Sequence, residues 1–256
     1  MLYQIKSYLK FLLRSTNQHG VHSPFVFDLI TQCFYDKAGY PEYSILKKHR
    51  QNLLQSKATI EVKDFGAGSR VFKGNTRKVS AVAKNAGITP KRQRLLFRLA
   101  RYFKPINILE LGTSLGLGTV SLSLGNTAAQ IITVEGCPQT SEKAQELFNE
   151  FKLSNITLQN ETFESFFDRN HQNYDLVYID GNHDKERTLQ YFEFLLNHTH
   201  NDSLLLFDDI YWSPAMTEAW QEIKDHPEVT VSIDTFQWGL ICFRKEQKKE
   251  HFNIRL

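Results

Sequence analysis

Downstream of Pro105 the sequence alternates short β-rich runs with helical ones, and this alternation restricts the fold more than any other feature. Large apolar and β-branched residues dominate segments 106–111, 130–135, 155–159, 174–180 and 203–208, while 141–151 and 185–197 carry helical spacing. Strands separated by helices pair in parallel and are covered on both faces, so they read as nearly continuous apolar runs. Segments 228–235 and 238–244 break the rule, because almost nothing separates them. They are expected to pair as an antiparallel hairpin at the sheet's edge. The expected fold is α/β and Rossmann-like: seven strands, mostly parallel, with an antiparallel last strand.

The first hundred residues read as helices instead. Leu2, Ile5, Leu9, Leu12 and Leu13 follow a helical period, with Lys6, Lys10 and Arg14 opposite. Ser23-Pro24 supplies an N-cap and a first-turn proline for a helix over 25–35, and another helix is expected over 42–55. A short strand at 59–63 leads into Asp64-Phe65-Gly66-Ala67-Gly68-Ser69. Thr89-Pro90 then opens a basic amphipathic helix with Leu95, Leu96, Leu99 and Phe103 on its apolar side, ended by Pro105. The expected organisation is a helical N-terminal extension or cap (1–104), an α/β core (105–244) and a charged tail (245–256).

With 256 residues, 41% hydrophobic and 23% charged, the chain excludes collagen-like, low-complexity and disordered classes. Cys33, Cys137 and Cys242 are too scattered for a CxxC pair or a zinc spacing, which favours a reducing compartment. No apolar stretch approaches the ~18–20 residues of a transmembrane span. Residues 1–14 resemble a targeting segment only in outline, since Lys6 and Lys10 interrupt it and no small-residue cleavage site follows. The expected location is the cytoplasm. Residues 63–104 carry +11 and the rest of the chain −8. Such a basic segment is either a contact for an anionic partner (nucleic acid, phosphorylated metabolite or membrane) or a solvated helix face.

Ligands of parallel sheets bind at the carboxyl ends of the strands. After the first core strand comes Glu110-Leu111-Gly112-Thr113-Ser114-Leu115-Gly116-Leu117-Gly118-Thr119, a glycine loop that does not meet the dinucleotide spacing GxGxxG. The next strand ends in Glu135-Gly136, 23 residues after Gly112, where a carboxylate can accept bonds from two ribose hydroxyls. After the third strand, Glu161 and Phe163 fall where an adenine edge and face need a polar group and an apolar neighbour.

Together, 110–119, Glu135-Gly136 and the terminal hairpin resemble class I S-adenosylmethionine-dependent methyltransferases, over roughly residues 105–244 and within the small-molecule O-methyltransferase-like branch. The resemblance implies S-adenosylmethionine as cofactor, with Glu110 and Gly112 near its methionine end and Glu135 on its ribose. It extends the candidate contacts to Thr113, Ser114, Gly116, Gly118, Thr119, Gly136, Glu161, Phe163 and Asp180. The stretch His19-Gly20-Val21-His22-Ser23-Pro24-Phe25 and the loop at Asp64 resemble a bacterial subgroup of these enzymes. The 64–69 loop lacks a following strand that ends in an acid, which makes it a lid, a substrate loop or a structural turn.

The fourth strand ends in Asp180-Gly181-Asn182-His183 and the fifth in Asp208-Asp209. These three acids are candidate ligands for Mg²⁺ or a similar cation, which would lower the pKa of a coordinated hydroxyl. The arrangement resembles the metal-dependent catechol-type O-methyltransferases, with Asp209 where that pattern has Asn and without its lysine in register. His183 is then the candidate base, since an ordinary imidazole titrates near ~6.5. Without a metal, Asp180 positions the cofactor amine or a substrate, and Asp208 and Asp209 cap a helix. Tyr211, Trp212, Phe236 and Trp238 are candidate walls for a flat substrate. The leading expectation is methylation of a small hydroxylated acceptor. The alternatives are an RNA-directed methyltransferase that uses 63–104, or a non-catalytic cofactor-binding scaffold. A homodimer through the N-terminal helices is a further expectation.

Overall fold

The computed structural model describes residues 2–65, 68 and 71–256. Gly66, Ala67 and Ser69 of the expected lid or substrate loop lie outside the described residues. The chain forms two compact units, residues Lys37–Asn170 and the combination of Met1–Asp36 with His171–Leu256. In chain order the N-terminal stretch contributes α1 (Leu2–Arg14) and α2 (Pro24–Leu29), the latter running on into a π-helical turn, Ile30–Phe34. Ser23 caps α2 by accepting from the Val26 amide, and Pro24 fills its first position, as the sequence predicts.

The unit Lys37–Asn170 holds α3 (Glu42–Gln55), β1 (Thr59–Glu61), β2 (Thr76–Lys78), α4 (Val79–Asn85) and α5 (Pro90–Phe103). It continues with β3 (Asn107–Leu111), α6 (Leu117–Gly125), β4 (Gln130–Val134), α7 (Pro138–Glu150), β5 (Ile156–Gln159) and α8 (Phe163–Phe167). Thr89 caps α5 through the Arg92 amide, and Lys104 closes it in the left-handed region (φ 49°), where Pro105 forbids another helical turn. Strands β3, β4 and β5 pair in parallel, with Ile108 opposite Ile131 and Ile131 opposite Ile156. β1 and β2 form a separate antiparallel ribbon. Leu46, Phe97, Val120, Ala144 and Phe148 make a core cluster among α3, α5, α6 and α7.

Gly116 lies inside that packing. Its φ is +76°, and a Cβ built on it would sit 2.5 Å from the Phe148 ring. A side chain here is both strained and overpacked. Gly116→Ala is therefore expected to cost about 2–4 kcal/mol and lower Tm by roughly 5–10 °C in a thermal melt. An unchanged Tm would show that the loop takes another path.

The other unit adds β6 (Leu176–Ile179), α9 (Lys185–Leu196), β7 (Leu204–Asp208), α10 (Pro214–Asp225), β8 (Val231–Asp234), β9 (Trp238–Cys242) and β10 (Glu250–Asn253). β6 and β7 are parallel, and every residue of both is buried, in line with their apolar runs. β9 runs antiparallel to β7 and to β8, so the expected hairpin is present, shortened at its ends, but it is not at the edge, because β10 pairs along the outer side of β8.

The tail expected at 245–256 is a correction. Residues 250–253 form β10, parallel to β8, and Ile254 is fully buried and bridged to Thr16. Tyr35 donates to the carbonyl of Arg255 at 2.7 Å. The charges of this segment mark an edge strand with exposed outer side chains, and Ile254 anchors it. Apart from the β1–β2 ribbon, the strands thus number eight among the described residues rather than seven, three in one unit and five in the other. The fold is α/β, mostly parallel and Rossmann-like. No helix among the described residues is long and apolar enough to cross a membrane.

Candidate active site

In the unit Lys37–Asn170 the glycine loop and the end of β4 are tied together. The Ser114 amide donates to Glu135 Oε2 at 2.8 Å, and the Cys137 amide donates to Glu135 Oε1 at 2.8 Å. Ser114 holds φ 48° and Gly112 φ 105°, backbone angles that let the loop fold back over the strand ends. Burial pushes the Glu135 carboxyl above its ordinary range; the two amides oppose that shift, and Asp64 adds to it. Among the described residues each oxygen accepts one amide, and a carboxylate oxygen has a second lone pair that suits a diol.

Glu110 sits beneath the loop rather than on its outer face. It is 1% exposed, and its Oε2 accepts from the hydroxyls of Thr119 and Thr133. Thr113 and Thr133 share a further hydroxyl contact at 2.6 Å. Glu110 thus braces β3, β4 and the first turn of α6, while its Oε1 is buried without a hydrogen-bond partner among the described residues. Desolvation pushes its pKa up to about 7 against the two hydroxyl bonds, with Glu135 adding a smaller upward push.

The folded state therefore binds the proton more tightly than the unfolded chain, whose carboxyl titrates near 4.5. Stability from this group is full below that value and falls as pH rises to about 7, by about 3 kcal/mol. Urea unfolding at both ends of that window should show the gap between wild type and Glu110→Gln changing with pH. A gap independent of pH would remove the claim.

Two neighbouring segments close around the same turn. Lys63 donates its amide to Cys137 Sγ, which donates in turn to the Glu61 carbonyl, each at 3.3 Å. The Phe65 ring packs on Gly136, where an added Cβ would come within 2.9 Å of it. The described start of the 64–69 segment therefore lies on the end of β4. After β5, Asn160 donates to the Glu135 carbonyl at 2.7 Å. Glu161, expected at the adenine edge, pairs its carboxylate with Arg169, and Phe163 begins α8 behind the Thr162 cap. Gly118 and Thr119 are buried in the first turn of α6.

The second group lies in the other unit. Tyr178 of β6 sits between two carboxylates, with its hydroxyl 2.9 Å from Asp180 Oδ2 and 2.8 Å from Asp208 Oδ2. Asp208 Oδ1 accepts the Asp209 amide at 2.7 Å, and Asp209 holds φ 51°. His183 Nε2 lies 4.0 Å from Asp180 Oδ1, and its ring packs on Trp212 at 5.6 Å. Asn182 and His183 both hold positive φ, 74° and 32°, and Asn182 donates to Tyr191. Consecutive left-handed residues that are not glycine are costly, and a functional turn is where such strain is found.

The three acids do not form the expected metal site. Among the described residues no group of three or more His, Cys, Asp or Glu is placed to hold an ion. The Tyr178 hydroxyl bridges Asp180 and Asp208, and Asp208 turns its other oxygen to the Asp209 amide. Sequence reading missed Tyr178. Period-two alternation puts it on the same face as Asp180, and that was the available signal.

The remaining candidates divide. Tyr211 stacks on Phe236 at 4.9 Å and donates to Asp234, while Trp238 is buried edge-on to Tyr178. His19 and His22 are exposed, and His19 lies beside Gln18 in a turn. Much of the basic segment is engaged within the chain: Arg77 on Asp64 and Phe72, Arg94 and Arg98 on Tyr43, Arg101 on Tyr40.

Residues 109–210 match the family model described as a methyltransferase domain. No curated protein matches the chain. Among solved structures it is similar to the S-adenosylhomocysteine-bound methyltransferase PaMTH1 of Podospora anserina. The identity is 15%, covering 87% of this chain and 97% of that one, with a TM-score of 0.62. An O-methyltransferase of Bacillus cereus in complex with S-adenosylhomocysteine is 18% identical over 63% of this chain and 84% of its own, with a TM-score of 0.54. The O-methyltransferase TomG of Streptomyces achromogenes, involved in tomaymycin synthesis and solved with S-adenosylmethionine, is 16% identical. That match covers 62% of this chain and 82% of TomG, with a TM-score of 0.54. Residues 109–210 thus match a methyltransferase domain, and the fold that carries them is that of the class I methyltransferases.

Proposed function

We propose that the protein transfers the methyl group of S-adenosylmethionine to a hydroxyl of a small acceptor. The observation that carries this reading is the double amide clasp on Glu135, which joins the glycine loop to the end of β4. When bound, S-adenosylmethionine supplies an electrophilic methyl group on a sulfonium. Glu135 holds the ribose hydroxyls through its open lone pairs, and the loop 112–116 lines the donor's other end. His183 accepts the acceptor's hydroxyl proton at Nε2, and Asp180, 4.0 Å away, stabilises the imidazolium that forms. Trp212 holds the His183 ring in place and offers an apolar face to the acceptor. Tyr178 fixes the Asp180 carboxylate. Similarity to the Bacillus cereus and Streptomyces achromogenes O-methyltransferases supports oxygen as the acceptor atom.

The test is transfer of labelled methyl groups to a panel of hydroxylated aromatic and aliphatic acceptors, before and after EDTA treatment. Turnover that survives EDTA supports the His183–Asp180 base. Turnover lost with EDTA and restored by Mg²⁺ would return Asp180, Asp208 and Asp209 to a metal role and overturn this one.

A further inference from the structure

Helix α1 presents to solvent a face that its own unit does not use. Leu2, Ile5, Leu9 and Leu13 are 76%, 52%, 57% and 88% exposed. At 3.6 residues per turn they fall within an arc of about 80°. Lys6, Lys10 and Arg14, all exposed, occupy the adjoining arc, and the helix contains no acid. Its opposite side is seated on the protein. Ser7 and Phe11 are buried, Tyr3 donates to Thr217 at 2.7 Å, and Tyr8 and Phe11 pack on Phe236. The helix is therefore held in place with its apolar stripe turned outward.

Charge selects the occupant. An antiparallel two-fold pairing of α1 would set the basic flank against the same flank of a second copy, with no carboxylate on either helix to neutralise it. An anionic bilayer complements both features, because acyl chains take the leucines while headgroups take the cations. We propose that α1 docks the enzyme on anionic phospholipid membranes, lying in the headgroup layer with Leu2, Ile5, Leu9 and Leu13 toward the acyl chains. This inference goes beyond methyl transfer and does not depend on it.

Co-sedimentation of the full chain with phosphatidylcholine vesicles, with and without about 30% phosphatidylglycerol, tests the proposal. The expected result is binding about ten-fold or more tighter to the anionic vesicles, weakening as salt rises. Lys6→Gln with Lys10→Gln should weaken it about ten-fold. Leu9→Gln with Leu13→Gln should abolish it, with an unchanged circular dichroism spectrum because both side chains are exposed. Failure to sediment with anionic vesicles overturns the proposal. A dimer in light scattering that the leucine variant dissolves would overturn it too, and would assign the stripe to a second copy of the chain.

Discussion

Titrated calorimetrically with S-adenosylmethionine, Glu135→Ala is expected to lose about 30- to 1,000-fold in affinity, or roughly 2–4 kcal/mol. Two effects add. On the proposed function the ribose loses a charged acceptor for its hydroxyls, and the amides of Ser114 and Cys137 lose the partner that holds loop and strand together. Glu135→Gln separates them, since its carbonyl keeps one amide bonded while the charge is gone. An intermediate loss in Gln is the expected pattern. Wild-type affinity in a folded Ala variant would detach the end of β4 from donor binding and leave the glycine loop without an assigned ligand.

His183→Ala is expected to lower turnover by about 10²- to 10⁴-fold while donor affinity changes little. Imidazole added to the buffer should restore part of the lost rate, which a purely structural role for His183 would not allow. Asp180→Asn is expected to cause a smaller fall, because the imidazole remains and only the charge that steadies its protonated form is lost. Asn at 180 can still bond Tyr178, so the end of β6 keeps its shape. Equal donor affinity in all three proteins is the control that places the defect in proton transfer. Undiminished turnover in His183→Ala would sink the base assignment.

What the sequence disclosed follows from where physics leaves a strong local trace. β3, β6 and β7 are covered on both faces, so residues such as 204–207 must all be apolar and announce a parallel strand. Thr89-Pro90 and Ser23-Pro24 announce helix starts because cap and proline act within four residues. β10 left no such trace: Glu250 and His251 are exposed, and only the distant backbone of β8 makes the segment a strand.

The candidate site divides in the same way. Glu135 was legible from its place at a strand end after a glycine loop. The part played by Glu110 was not, since its partners Thr119 and Thr133 are fixed by packing across β3, β4 and α6. Asp180, Asp208 and Asp209 read as a cluster along the chain, yet the side chain that settles their arrangement, Tyr178, reads as one more buried aromatic. The partnership of Glu161 with Arg169 likewise depends on how α8 turns after β5.

β10 also bears on how this protein avoids its own kind. β8 is buried along its whole length, and one of its two flanks is satisfied only by residues 250–253. Stripped of them, Val231 to Asp234 would offer a bare row of amides and carbonyls with apolar side chains, a template on which another molecule could add a strand. β10 closes that row and substitutes an outer rim bearing Glu250 and His251, both exposed. Residues 250–253 thus guard that edge against fibre-like association, and deleting them is expected to raise light scattering at a given protein concentration.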